Sequence, residues 1–131
     1  MSTGGEARSG QLIVDTTRRP ITAYRIVKGI HRSDHLMLDA FRSNYERDAR
    51  PRGLEVQLAL IHFGLSMYLE REMAAATAER WPRLGRYLAE IRLEPGNGFC
   101  WAHTAQPGHV TVWGRPLQLL DCIIDILRVG D

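Results

Sequence analysis

Gly64-Leu65-Ser66-Met67-Tyr68-Leu69-Glu70 runs directly into Arg71-Glu72-Met73-Ala74-Ala75-Ala76-Thr77-Ala78-Glu79-Arg80-Trp81, and the change of period between the two stretches decides the fold. In the first, Leu65, Met67 and Leu69 alternate with Ser66, Tyr68 and Glu70, which predicts an extended strand with one apolar and one polar face. The second is alanine-rich and predicts a helix. Pro82 stops it, because proline disfavours the helical conformation in the residue before it. A strand carrying a hydroxyl, a phenol and a carboxylate, feeding straight into a helix, fits one wall of a cleft. It fits an ordinary strand–helix corner equally well.

Working towards the N-terminus, Leu54 to Phe63 is apolar with Glu55, Gln57 and His62 interspersed, and fits either a short helix or a strand. Asp48 to Gly53 is a polar, basic loop. Ser33 is a suitable N-cap for a helix Ser33–Arg47, with Met37, Phe41 and Tyr45 as its apolar stripe. Thr22–Lys28 alternates as a strand that sets Ala23, Arg25 and Val27 on one face. A guanidinium between two apolar neighbours needs a partner or a ligand, unless it snorkels off a sheet edge. Leu12-Ile13-Val14 fits a short edge strand, and residues 1–10, rich in Gly, Ser and Thr, read as a disordered leader or a cloning remnant.

Working towards the C-terminus, Arg86–Leu93 alternates with Tyr87, Ala89, Ile91 and Leu93 facing inward. Pro95-Gly96-Asn97-Gly98 is a turn. Phe99–His103 and His109–Gly114 are short strands. Pro116 can open a helix Pro116–Asp121 at its first turn, and Ile123–Val129 closes the chain as a strand. The expected fold is therefore one α+β domain over residues 11–131, a mainly antiparallel sheet with about three helices. Its expected core includes Met37, Phe41, Leu65, Met67, Tyr87, Ile91, Leu120 and Ile124.

The composition narrows the function. The chain has 131 residues, 44% hydrophobic and 24% charged, which suits one domain with a real core. With 17 basic and 15 acidic residues the net charge is +2, too small to create a field for nucleic acid. The cysteines Cys100 and Cys122 form no CxxC pair, consistent with a reduced, cytoplasmic protein. Histidines 31, 35, 62, 103 and 109 lack metal-ligand spacing, so no metal is expected. No apolar run reaches the length of a membrane span. GxGxxG, GxxxxGK[ST] and GxSxG are all missing.

The remaining chemistry lies in Tyr24-Arg25 on an early strand, Ser66-Met67-Tyr68 on the middle strand with its alanine-rich helix behind, and His109 with Trp113 on the paired late strands. In this order of parts the chain resembles the ADP-ribosyltransferase-like superfamily, particularly its small RES-domain toxins, across about residues 22 to 128. The resemblance implies a split sheet and NAD as substrate. It implies Arg25 on the NAD phosphates, Ser66 and Tyr68 around the nicotinamide ribose, and Tyr24, His109 and Trp113 as further cofactor contacts. Where many transferases carry a late glutamate, Val110–Trp113 has none, which leaves Glu70 or Glu90 as the catalytic carboxylate. A guanidinium fork pairs bidentately with pyrophosphate, and a carboxylate can stabilise an oxocarbenium-like ribose. The expected site is one cleft shared by Arg25, Ser66 and Tyr68, with His109 at its rim. The expected activity is an NAD-consuming ADP-ribosyltransferase or NAD glycohydrolase, a toxin-like module. The competing expectation is a non-catalytic binding or assembly module, a partner or immunity protein, in which Trp81, Trp101 and Trp113 are core or interface anchors.

Overall fold

The computed structural model describes residues 15, 16, 18–30, 37, 40, 41 and 64–130. The expected leader, Leu12-Ile13-Val14, the loop over residues 48–53 and the segment over residues 54–63 lie outside these residues. So does the expected helix Ser33–Arg47, apart from Met37, Ala40 and Phe41.

The described strands are β1 (Asp15–Thr16), β2 (Ile21–Val27), β3 (Leu65–Tyr68), β4 (Tyr87–Leu93), β5 (Cys100–His103), β6 (His109–Trp113) and β7 (Ile123–Arg128). They form one antiparallel sheet in the order β1-β5-β6-β3-β2-β4-β7. The described helices are α1 (Arg71–Arg80) and α2 (Pro116–Asp121), with Pro82–Leu84 a single 3-10 turn. This corrects the expected fold, which had about three helices on a split sheet. Among the described residues the chain is mostly sheet with two helices, and the sheet is one continuous set of strands. The physical reason is the period: most described segments alternate with a repeat of two, and 71–80 and 116–121 are the described segments with a helical repeat, Met37 and Ala40 being the other described α-helical residues. The fold remains broadly α+β.

Strand pairing divides the side chains between two faces, since directly opposed residues project to the same side. Ala23, Val27, Leu65, Met67, Ala89, Ile91, Val110 and Val112 occupy one face and are buried there with Met37, Phe41, Leu119 and Leu120. Pro116 sits in the first turn of α2, where its missing N–H costs nothing. The opposite face is covered over β2 and β3 by α1, whose Ala74 and Ala78 lie one helical turn apart and are both buried. Small side chains at those positions let the helix settle close against Tyr24, Ile26, Tyr68, Leu88 and Leu127. Trp81 ends α1 by donating its N–H to the Thr77 carbonyl, immediately before Pro82.

Two of the expected core positions change. Tyr87 is only half-buried, and Ile124 is 58% exposed. Between β4 and β7 the register runs Glu90 with Asp125 and then Ile91 with Ile123, so Ile124 is the extra residue of a bulge. The bulge hands the core place to Ile123 and turns Ile124 outward.

Candidate functional site

The pairing of β2 with β3 consists of one register pair, Tyr24 with Tyr68. Tyr24 also stands opposite Glu90 on β4, and Tyr68 opposite His109 on β6. Glu90, Tyr24, Tyr68 and His109 therefore form one row across four neighbouring strands, on the face that carries α1. Asp125 extends the row on β7. One step along β3, the exposed Ser66 stands opposite the buried Thr111. Trp113 follows on the same face of β6.

The pairing that builds this row also removes Arg25 from it. Arg25 stands opposite Ala89, on the core face of the sheet, while Ser66 and Tyr68 project from the other face. Its Nε donates to the Ala40 carbonyl at 2.8 Å and its Nη1 to the Ser66 carbonyl at 2.7 Å. The expected single cleft of Arg25, Ser66 and Tyr68 is not formed: the guanidinium meets the backbone of Ser66, and the Ser66 side chain is across the sheet. The strand alternation of both segments was correctly legible; which residue of β2 faces which of β3 was not, because a register is set by pairing. Glu70 lies exposed at the N-cap of α1 and makes no side-chain capping bond. The structure thus brings together Tyr24, Tyr68, Glu90 and His109, with Ser66 and Trp113 alongside. It sets Arg25 on the other side.

Electrostatics within the row are local. Burial, followed by the Glu90 carboxylate, raises the Tyr24 phenol above its ordinary pKa; Arg71 opposes this, and Glu72 and a hydrogen bond with Glu90 add to it. The Tyr68 and His109 rings meet edge to face at 5.1 Å between centroids. The His109 Nδ1 lies 2.9 Å from Thr104 Oγ1 and 3.1 Å from the Thr104 carbonyl oxygen. Thr104 Oγ1 lies 2.9 Å from Thr111 Oγ1 in turn. Thr104 and Thr111 are site residues that sequence reasoning missed. Thr111 could have been found, since the alternation His109-Val110-Thr111-Val112-Trp113 puts it on the face of His109. Thr104 could not, because the tight β5–β6 connection brings it there.

Burial pushes the His109 imidazole below its ordinary value of 6.5, against the opposing effect of the Thr104 carbonyl. The folded protein therefore binds this proton less readily than the unfolded chain. The stability contributed by neutral His109 is present above pH 6.5 and is lost as the pH falls through the lower, folded pKa. Urea midpoints measured from neutral to mildly acidic pH should fall across this window, and His109→Gln should flatten that part of the profile. An unchanged profile in the variant would assign the loss to other groups.

Gly64 shows how closely this face is packed. A Cβ there would lie 2.3 Å from Thr111 Cγ2 and 3.0 Å from Trp113 Nε1. Gly64→Ala should force both side chains aside and cost about 1–3 kcal/mol, as overpacking does. Urea denaturation followed by tryptophan fluorescence checks it, with Trp113 reporting the displacement.

Away from the row, a concavity of about 370 Å³ is lined by Arg92, Glu94, Gln118, Cys122 and Ile124 among others. Its thiol is a poor nucleophile: burial first, then Asp121 and Glu94, raise the Cys122 pKa and keep it protonated. Cys122 Sγ donates to the Gln118 carbonyl. Both cysteines are free. Among the described residues there is no cluster of three metal-ligating side chains, and no helix is long and apolar enough to cross a membrane.

Compared with known proteins, the chain matches no family model, and no curated protein or solved structure is significantly similar to it.

Proposed function

We propose that the protein is an NAD-consuming enzyme of the ADP-ribosyltransferase-like kind, a transferase or NAD glycohydrolase acting as a toxin-like module in the cytoplasm. One observation carries the reading. Tyr24, Tyr68, Glu90 and His109, picked from four separate stretches of sequence, stand in one cross-strand row on one face. In this reading Trp113 offers ring surface to the nicotinamide and the exposed Ser66 offers a hydroxyl to the ribose, while Tyr24 and Tyr68, packed under α1, support the wall of the site. Glu90 supplies the carboxylate that stabilises the oxocarbenium-like ribose. Glu90 is preferred to Glu70 because it belongs to the row. Arg25 has no ligand role, since its guanidinium is committed to the core face.

That commitment of Arg25 favours a second reading, a non-catalytic binding or assembly module. Trp81, 56% exposed, and Leu117, 68% exposed, would then be contact residues for a protein partner. Calorimetry with NAD, together with chromatographic detection of released nicotinamide, separates the two. The enzyme reading expects binding heat and nicotinamide release, and expects Glu90→Gln to retain the heat while losing the release. Absence of both in the wild type leaves the binding module.

A further inference from the structure

Thr111 is the buried polar side chain among the described residues, 1% exposed. A buried hydroxyl without a partner is costly. Its partner is Thr104 Oγ1, which also contacts His109 Nδ1. The backbone reinforces the arrangement: the Thr104 N–H donates to the His109 carbonyl, and the His109 N–H to the Gln106 carbonyl.

The proton positions follow from what each atom can do. The Thr104 carbonyl oxygen, 3.1 Å from Nδ1, can only accept. A proton on Nδ1 satisfies this contact, whereas a bare Nδ1 would set its lone pair against the lone pair of the carbonyl. The Nδ1–H is shared between the Thr104 carbonyl and Thr104 Oγ1. The Thr104 hydroxyl proton is then free to go to Thr111 Oγ1. With Nδ1 protonated in a neutral ring, Nε2 carries a lone pair, and among the described residues no hydrogen-bond partner engages it.

We infer that Thr104 is a positioning residue whose carbonyl and hydroxyl together hold His109 in the Nδ1–H tautomer, with Thr111 orienting that hydroxyl, so that Nε2 serves as a hydrogen-bond acceptor for a ligand hydroxyl or amide N–H. This deepens the proposed NAD site, where a ribose hydroxyl or the nicotinamide carboxamide would be the donor, and it rests on that reading for the identity of the ligand alone. The tautomer is a property of the free protein.

Nitrogen-15 NMR of the histidine-labelled protein at neutral pH tests it. The wild type should show His109 Nδ1 at the protonated and Nε2 at the unprotonated shift. Thr104→Val, which removes the hydroxyl and keeps the carbonyl, should lose part of that preference; Thr104→Ser should restore it. Thr111→Val should loosen it in the same direction, and serves if Thr104→Val does not fold. An Nε2–H tautomer in the wild type, or identical tautomer populations in wild type, Thr104→Val and Thr111→Val, would overturn the inference. Added NAD should move the Nε2 resonance as it accepts a hydrogen bond. If the tautomer stands but NAD leaves every resonance unmoved, the NAD reading fails and the positioning role survives. If NAD binds and Nε2 alone does not respond, the acceptor role is wrong.

Discussion

Ile91→Ala is expected to destabilise the protein by about 2–5 kcal/mol, the usual cost of emptying a large core site. Ile91 is fully buried in the middle of β4, opposite Ala23 on one side and Ile123 on the other. Removing its side chain takes away both the burial and the contacts of neighbours that cannot collapse into the gap, because both flanking strands are fixed in register. Ile124→Ala, one residue past Ile91's partner Ile123, should change stability by no more than about 0.5 kcal/mol, since it lies on the solvent side of the bulge. Paired urea denaturation curves check the contrast. Equal losses in the two variants would mean that the bulge between β4 and β7 is misplaced.

Arg25→Ala should cost about 2–4 kcal/mol, from two charge-assisted hydrogen bonds lost and two carbonyls left to find water. The guanidinium spans from β3 to the Ala40 carbonyl just where the β2–β3 ladder has narrowed to one register pair. It replaces, with one side chain, some of the pairing that the two strands lack. Arg25→Lys should recover little, because a single ammonium on a flexible stem does not reproduce the fork that reaches two acceptors at once. A ligand-binding Arg25, as the sequence suggests, would be expected to leave the fold intact on removal; its two hydrogen bonds to main-chain carbonyls argue for a loss of stability instead. Wild-type stability in Arg25→Ala would reinstate the first expectation.

These two residues mark how much the sequence discloses. Ile91 was legible because strand alternation repeats every two residues, and Tyr87–Leu93 keeps that period over seven residues. The same regularity placed α1, bounded by the alanine run and Pro82, and α2, opened by Pro116. Ile124 was misread because a bulge inserts one residue and flips the alternation, and nothing local announces it. Arg25 was read as needing a partner, which it has. That the partners are two main-chain carbonyls depends on a register and a neighbouring segment that no local pattern encodes. Within the site, Tyr24, Tyr68, Glu90 and His109 were each legible as chemistry, but their single row follows from the pairing of four strands. Thr104 was invisible because its role comes from a turn.

The claim that this row is a ligand site is tested most directly by titrating NAD into the nitrogen-15-labelled protein and following the backbone amides. The account predicts saturable shifts clustered at Tyr24, Tyr68, Glu90 and His109, with Ser66 and Thr111 beside them. No shifts at millimolar NAD, or shifts confined to the concavity around Arg92, Gln118 and Cys122, would contradict it.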